Sequence, residues 1–114
     1  MIQKYLLLLL FSFISLSASA ETGLQLLNRA KQQTDPAAQI KLLNKAISKA
    51  PKLADAYHYR ADAYLASGKI NQALADYSKT VSLRPKDPFR YYARGLAYMQ
   101  AGRASLAQTD LTKA

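Results

Sequence analysis

The chain has 114 residues, with sixteen lysines and arginines against seven acidic residues, no cysteine and a formal charge of +9. Without cysteine, neither disulfides nor a lipid-bearing cysteine can support an exported domain, and packing alone must hold it together. One glutamate, one histidine and four isolated glycines leave no Cys–His pair, no ready set of metal ligands and no phosphate-cradling loop, so no catalytic residue, metal or cofactor is expected.

The first residues, MIQKYLLLLLFSFISLSASA, have a basic start at Lys4, an apolar run from Tyr5 to Leu16 and the small-x-small pattern Ala18-Ser19-Ala20. This reads as a secretory signal peptide over residues 1–20, cleaved before Glu21. A membrane anchor is the competing reading, but a bilayer core needs about 20 apolar residues. This run stops short of that and passes directly into serine and alanine. An exported protein, periplasmic or secreted, is therefore expected, with no membrane contact after cleavage. Loss of Lys4 leaves fifteen basic against seven acidic residues, a charge of +8. These charges are spread from Arg29 to Lys113 without a block of five like charges, the pattern of solvated helix faces.

From Glu21 to Gln33, Leu24, Leu27 and Ala30 recur at helical spacing, and Thr34-Asp35-Pro36 breaks the pattern. Asp35 reads as an N-cap with proline at the first helical position, starting a helix from Ala37 to Lys49 with Ile40, Leu43, Ala46 and Ile47 on its apolar face. Pro51 stops it. Leu53 to Ser67 forms the next helix, and Gly68 supplies the left-handed residue that closes its C-terminus. Ile70 to Leu83 follows and ends before Pro85. Asp87-Pro88 repeats the cap-plus-proline start and launches Phe89 to Ala101, closed by Gly102, after which Ala104 to Lys113 turns back. Six helices with short connections predict an all-α chain of antiparallel neighbours.

The stretch Ala56–Pro85 returns 34 residues later: Tyr57, Tyr64, Gly68, Ala73 and Asp76 recur as Tyr91, Tyr98, Gly102, Ala107 and Asp110. A period of this size marks hairpins that bury their apolar faces only by stacking on one another. At Tyr57, Ala61, Tyr64, Ala73, Tyr77 and Pro85, and again at Tyr91, Gly95, Tyr98, Ala107 and Leu111, the sequence resembles the tetratricopeptide repeat family. The resemblance implies antiparallel helical hairpins stacked as a short right-handed solenoid. Its units are a degenerate one over 21–53, a full one over 54–87 and an incomplete one over 88–114. The first copy is degenerate in having Gly23 at the aromatic place, Thr34 where Gly68 would be and Gln39 where Ala73 would be. Leu106 and Leu111 lie on an uncapped last helix; either the polypeptide is shortened, or another copy or a partner covers that face, which raises self-association.

One comparison between copies stands apart. Arg60 precedes Asp76 by 16 residues and Arg94 precedes Asp110 by the same 16, while Leu26 and Leu42 occupy these places in the first unit. An exchange of charge for charge and apolar for apolar predicts direct contact, because a lone partner near a core would be a stranded charge. Structural ion pairs Arg60–Asp76 and Arg94–Asp110 are expected; a site for an acidic ligand at Arg60 and Arg94 is the competing reading.

By the resemblance, the first helix of each hairpin lines a concave groove for a peptide or a partner's helix. The groove positions are Glu21, Leu24, Gln25 and Asn28, then Asp55, His58, Tyr59, Asp62 and Leu65, then Phe89, Tyr92, Leu96 and Met99. His58 and Asp62 share a helix face, but two ligands do not make a metal site. Asp55 and Asp62 oppose clamping of a terminal carboxylate, and Phe89, Tyr92 and Met99 suit an apolar anchor. A non-catalytic protein-interaction module is the leading reading. Charge-driven binding of an anionic envelope polymer through Arg84, Lys86, Arg90 and Arg103 is the alternative. Nucleic acid is not an expected partner, since the basic residues lack interleaved stacking aromatics.

Overall fold

The computed structural model describes residues 21–114; the expected signal peptide at residues 1–20 lies outside the described residues. Among the described residues six helices follow one another: α1 Gly23–Gln32, α2 Pro36–Lys49, α3 Ala54–Ala66, α4 Ile70–Leu83, α5 Pro88–Gln100 and α6 Ala104–Lys113. Among the described residues there is no strand, and no helix is long and apolar enough to cross a membrane.

Local chemistry sets each boundary. α1 begins two residues later than Glu21 because Thr22 and Gln25 form a capping box. The Thr22 hydroxyl accepts from Gln25 N–H at 3.1 Å, and the Gln25 amide oxygen accepts from Thr22 N–H at 2.9 Å. Asp35 caps α2 by accepting from Ala38 N–H, and Asp87 caps α5 by accepting from Phe89 N–H, each ahead of a proline that has no N–H to satisfy. α3 and α5 end on Gly68 and Gly102, at φ of 73° and 72°. There Gly68 N–H bonds Leu65 C=O and Lys69 N–H bonds Tyr64 C=O, the doubled closure that a left-handed residue permits.

The helices pair as three hairpins, α1 with α2, α3 with α4 and α5 with α6, and each hairpin packs on the next through α2–α3 and α4–α5. One core cluster joins Leu26, Leu27, Ala30, Leu43 and Ala46 to Ala56 of the following hairpin. A second joins Ala61, Ala73, Leu74 and Tyr77 to Ala97 of the last. Each core thus borrows a side chain from its neighbour, which makes stacking a condition of burial. Ala61, Ala73, Gly95 and Ala107 are all buried, as close approach of paired helices requires.

At Gly23, the aromatic place of the other copies, two helices meet closely. A Cβ on Gly23 would lie 2.6 Å from the Ala50 Cβ and 3.0 Å from the Ala46 carbonyl, so α1 closes onto the end of α2 where any side chain would collide. Gly23→Ala is expected to destabilise the fold by about 1–3 kcal/mol through overpacking, read as a lower denaturation midpoint with an unchanged m-value.

Candidate functional site

Two of the three hairpins carry the same polar joint. Arg60 donates from Nε to Asp76 Oδ2 and from Nη2 to Asp76 Oδ1, both at 2.8 Å. Arg94 does the same with Asp110 at 2.7 and 2.8 Å. The remaining guanidinium nitrogen reaches back to the preceding hairpin: Arg60 Nη1 donates to Asn44 Oδ1 and Arg94 Nη1 to Ser78 Oγ. Each guanidinium also lies near two rings, Tyr57 and Tyr64 in one hairpin, Tyr91 and Tyr98 in the next. The Tyr57 and Tyr91 hydroxyls donate to the carbonyls of Pro51 and Pro85. The buried carboxylates Asp76 and Asp110 raise the pKa of their arginines, burial opposing. With both carboxylate oxygens and most guanidinium donors used, these arginines have little left for an acidic ligand. In the first hairpin Leu26 lies in the core cluster instead, with the partly buried Leu42 packed against that cluster.

The expected groove residues divide into two kinds. Leu24, Tyr59, Phe89, Tyr92, Leu96 and Met99 are exposed on α1, α3 and α5, with Phe89 at 51%, Tyr92 at 48% and Met99 at 57%. Asn28 is exposed on α1, whereas Leu65 is partly buried against the second core cluster. The polar middle of the face is tied up internally. Asp55 Oδ1 accepts from Arg90 Nη2 at 2.7 Å, and this bond holds its carboxyl below the ordinary carboxylate value. The buried Tyr77 hydroxyl donates to Asp62 Oδ1, and burial followed by that bond drives the phenol pKa up. His58 sits against Tyr77 and Phe89, ring centroids 5.6 and 5.1 Å away, with Nε2 3.5 Å from Asp62 Oδ2. Asp55, His58 and Asp62 are therefore working parts of the face rather than freely offered groups.

Arg90 is a further correction. The sequence placed it with the exposed bases Arg84, Lys86 and Arg103, but it is only 8% exposed and bonds both Asp55 and Asp87. It ties α5 to α3 across the hairpin junction. Among the described residues no three histidine, cysteine or acidic side chains gather to hold a metal ion.

Desolvation lowers the His58 pKa below 6.5; Arg90 adds to this, and Asp62 and Asp55 oppose it. Its Nδ1 is buried without a hydrogen-bond partner, so a second ring proton would have no acceptor. The unfolded chain takes up that proton more readily than the folded one. The contribution of neutral His58 to stability is thus fully present above pH 6.5 and is lost as pH drops through this value toward the folded pKa. His58→Gln is expected to flatten the fall in denaturation midpoint between about pH 7 and pH 5, and an unchanged slope would assign the pH effect elsewhere.

The Asp62–Tyr77 bond had a signal in the sequence that the repeat comparison passed over. Asp62 and Tyr77 become Leu96 and Leu111 in the next copy, the same paired exchange that marks Arg60 and Asp76. The Arg90–Asp55 bond had none, because its positions correspond to Ala56 and Glu21 one repeat earlier and no matched change appears.

Comparison with known proteins meets these observations. A TPR repeat model matches residues 61–102 and a tetratricopeptide repeat model matches residues 42–75. No curated protein matches in sequence. Among solved structures, the crystal structure of MamA is similar at TM-score 0.75 and 26% identity, over 81% of this chain and 56% of that one. The chain therefore spans just over half the length of MamA. The first TPR of Spaghetti (RPAP3), bound to the HSP90 peptide SRMEEVD, has TM-score 0.76 at 22% identity, over 81% of this chain and 75% of that one. The CopN–Scc3 complex has TM-score 0.74 at 20% identity, over 80% and 55%. At these lower identities the likeness is one of fold. With two repeat models matched, stacked helical hairpins in common and a 34-residue period in its own side-chain contacts, the chain belongs to the tetratricopeptide repeat family.

Proposed function

We propose that the chain is a non-catalytic interaction module that holds a segment of a partner protein along the concave face of α1, α3 and α5. One observation carries this reading: of the seven exposed large apolar side chains among the described residues, six lie on these first helices and Leu106 lies on α6. Such a concentration on one class of helix marks a contact surface rather than scattered exposure. The two TPR units of Spaghetti, each bound to an HSP90 peptide, and CopN with Scc3 support protein binding as the use of this fold. The partner here is expected to present aromatic or aliphatic anchors. Asp55 has its charge matched by Arg90, whereas Asp62 accepts from the neutral Tyr77 hydroxyl and keeps its charge, which disfavours a strongly acidic segment.

The module is further proposed to act outside the cytoplasm, on the strength of residues 1–20. Mass spectrometry of the protein recovered from its native compartment is expected to find an N-terminus at Glu21; Met1 retained there would contradict this. Leu106 on α6 provides a second apolar surface, proposed for contact with a further copy and testable by the mass of the chain in solution.

Binding of an anionic polymer through Arg84, Lys86 and Arg103 is the alternative, now without Arg90. Peptides selected from a displayed library on the full chain separate the two. Groove binding is expected to survive a rise from about 0.05 to 0.5 M salt within about threefold, whereas capture of a soluble polyanion by surface charge should collapse. Loss of peptide binding with salt would contradict the groove reading.

A further inference from the structure

The first hairpin holds a pocket at the place where the other two hold their polar joint. It measures about 320 Å³ and lies between α1 and α2, with Leu26 and Leu42 as floor and Glu21, Arg29, Lys45 and Lys49 around it. Its origin is legible by translation along the repeat. At the places of Leu26 and Leu42 the second hairpin has the Arg60 guanidinium and the Asp76 carboxylate, bonded to each other. An ion pair has been exchanged for two shorter apolar groups.

The lysine of the joint has been kept. Lys79 lies 5.9 Å from the Tyr57 ring centroid and Lys113 lies 5.2 Å from that of Tyr91. Lys45 is their equivalent, yet the ring beneath it is replaced by Gly23. Among the described residues it has no ring, acidic group or hydrogen-bond acceptor against it. The charge around the pocket is three cations against one carboxylate. Glu21 is paired with Arg29 at 2.5 Å, and Lys49 donates to the Glu21 carbonyl at 2.6 Å. The Glu21 carboxylate repels an anion on the Arg29 side, which leaves Lys45 and Lys49 as the cations open to one.

We propose that this pocket binds an aromatic carboxylate, whose ring lies on Leu26 and Leu42 beneath Lys45 and whose anion meets Lys45 and Lys49. The ring takes the room over Leu26 and Leu42, the places of the Arg60–Asp76 and Arg94–Asp110 pairs in the other hairpins, and the lysine gains a cation–π contact of the kind its equivalents keep. The volume is at the lower end of small-molecule sites, enough for a single ring. The carboxylate belongs either to a free aryl acid or to the aromatic C-terminal residue of a peptide.

The test follows the Leu26 and Leu42 methyl resonances of the full chain during titration with 3-phenylpropionate. Both are expected to shift in a saturable manner, with affinity weaker by about tenfold for 3-phenylpropanamide, which lacks the charge. Lys45→Gln should weaken binding similarly. The double variant Leu26→Arg with Leu42→Asp rebuilds the joint of the other hairpins and should abolish binding while its circular dichroism still reports the helical fold. A parallel titration with the peptide Ala-Ala-Phe, carrying a free C-terminus, identifies the source: tighter binding than the free acid indicates a protein terminus, weaker binding a small metabolite. Absent methyl shifts, equal shifts from the amide, or undiminished binding by Lys45→Gln each overturn the proposal.

Discussion

Asp76→Leu is expected to cost about 3 kcal/mol of folding stability, because it leaves the Arg60 guanidinium without the carboxylate that satisfies two of its donors. Adding Arg60→Leu should restore the protein to within about 1 kcal/mol of the parent, since an apolar pair of similar volume can replace a buried ion pair with little net loss. The molecule already contains the result of that exchange: Leu26 and Leu42 hold the same positions in the first hairpin, Leu26 in its core cluster and Leu42 partly buried against it. Denaturant midpoints of the parent, both single variants and the double variant complete the cycle. Purely additive losses would mean that Arg60 and Asp76 act through other contacts, with Asn44 the first candidate.

The second large effect concerns partner binding. Tyr92→Ser with Met99→Ser removes two exposed apolar side chains from α5 and should weaken a library-selected peptide by at least about thirtyfold, the scale of a lost anchor of roughly 2 kcal/mol. The same double variant should melt within about 0.5 kcal/mol of the parent, because neither side chain is buried in the core. Leu106→Ser provides the control. It has comparable exposure but lies on α6, and it is expected to leave peptide affinity unchanged.

What could be read from the sequence was what the chain repeats. Helix identity followed from Asp35-Pro36, Gly68, Asp87-Pro88 and Gly102, whose capping roles depend on local backbone chemistry alone. The contact between Arg60 and Asp76 was legible because two copies keep it and one replaces both members together. Features present once were not legible. Arg90 resembles its exposed basic neighbours in sequence, and only the approach of α3 to α5 reveals that Asp55 and Asp87 draw it inward. Gly23 stands at the aromatic place, and only its distance to Ala50 reveals that the helices touch there. The Thr22 cap is hidden in the sequence because Glu21, the first residue after the expected cleavage site, reads as the opening of the helix.

The groove shows the same division. Phe89, Tyr92, Leu96 and Met99 were identifiable from their place on the first helix, yet the bonding that occupies Asp55 and Asp62 depends on side chains from other helices. The face therefore offers fewer free charges and more apolar surface than a list of its residues suggests. That surface suits a partner with aromatic or aliphatic anchors, the kind that Phe89, Tyr92 and Met99 lead one to expect from the sequence.

The central claim is that the face of α1, α3 and α5 receives the partner. A photo-crosslinking amino acid placed at position 92, with separate placements at positions 84 and 106, tests it most directly on the full chain with a library-selected peptide. The account predicts adducts from position 92 alone; adducts from position 84 or 106 with none from position 92 would contradict it.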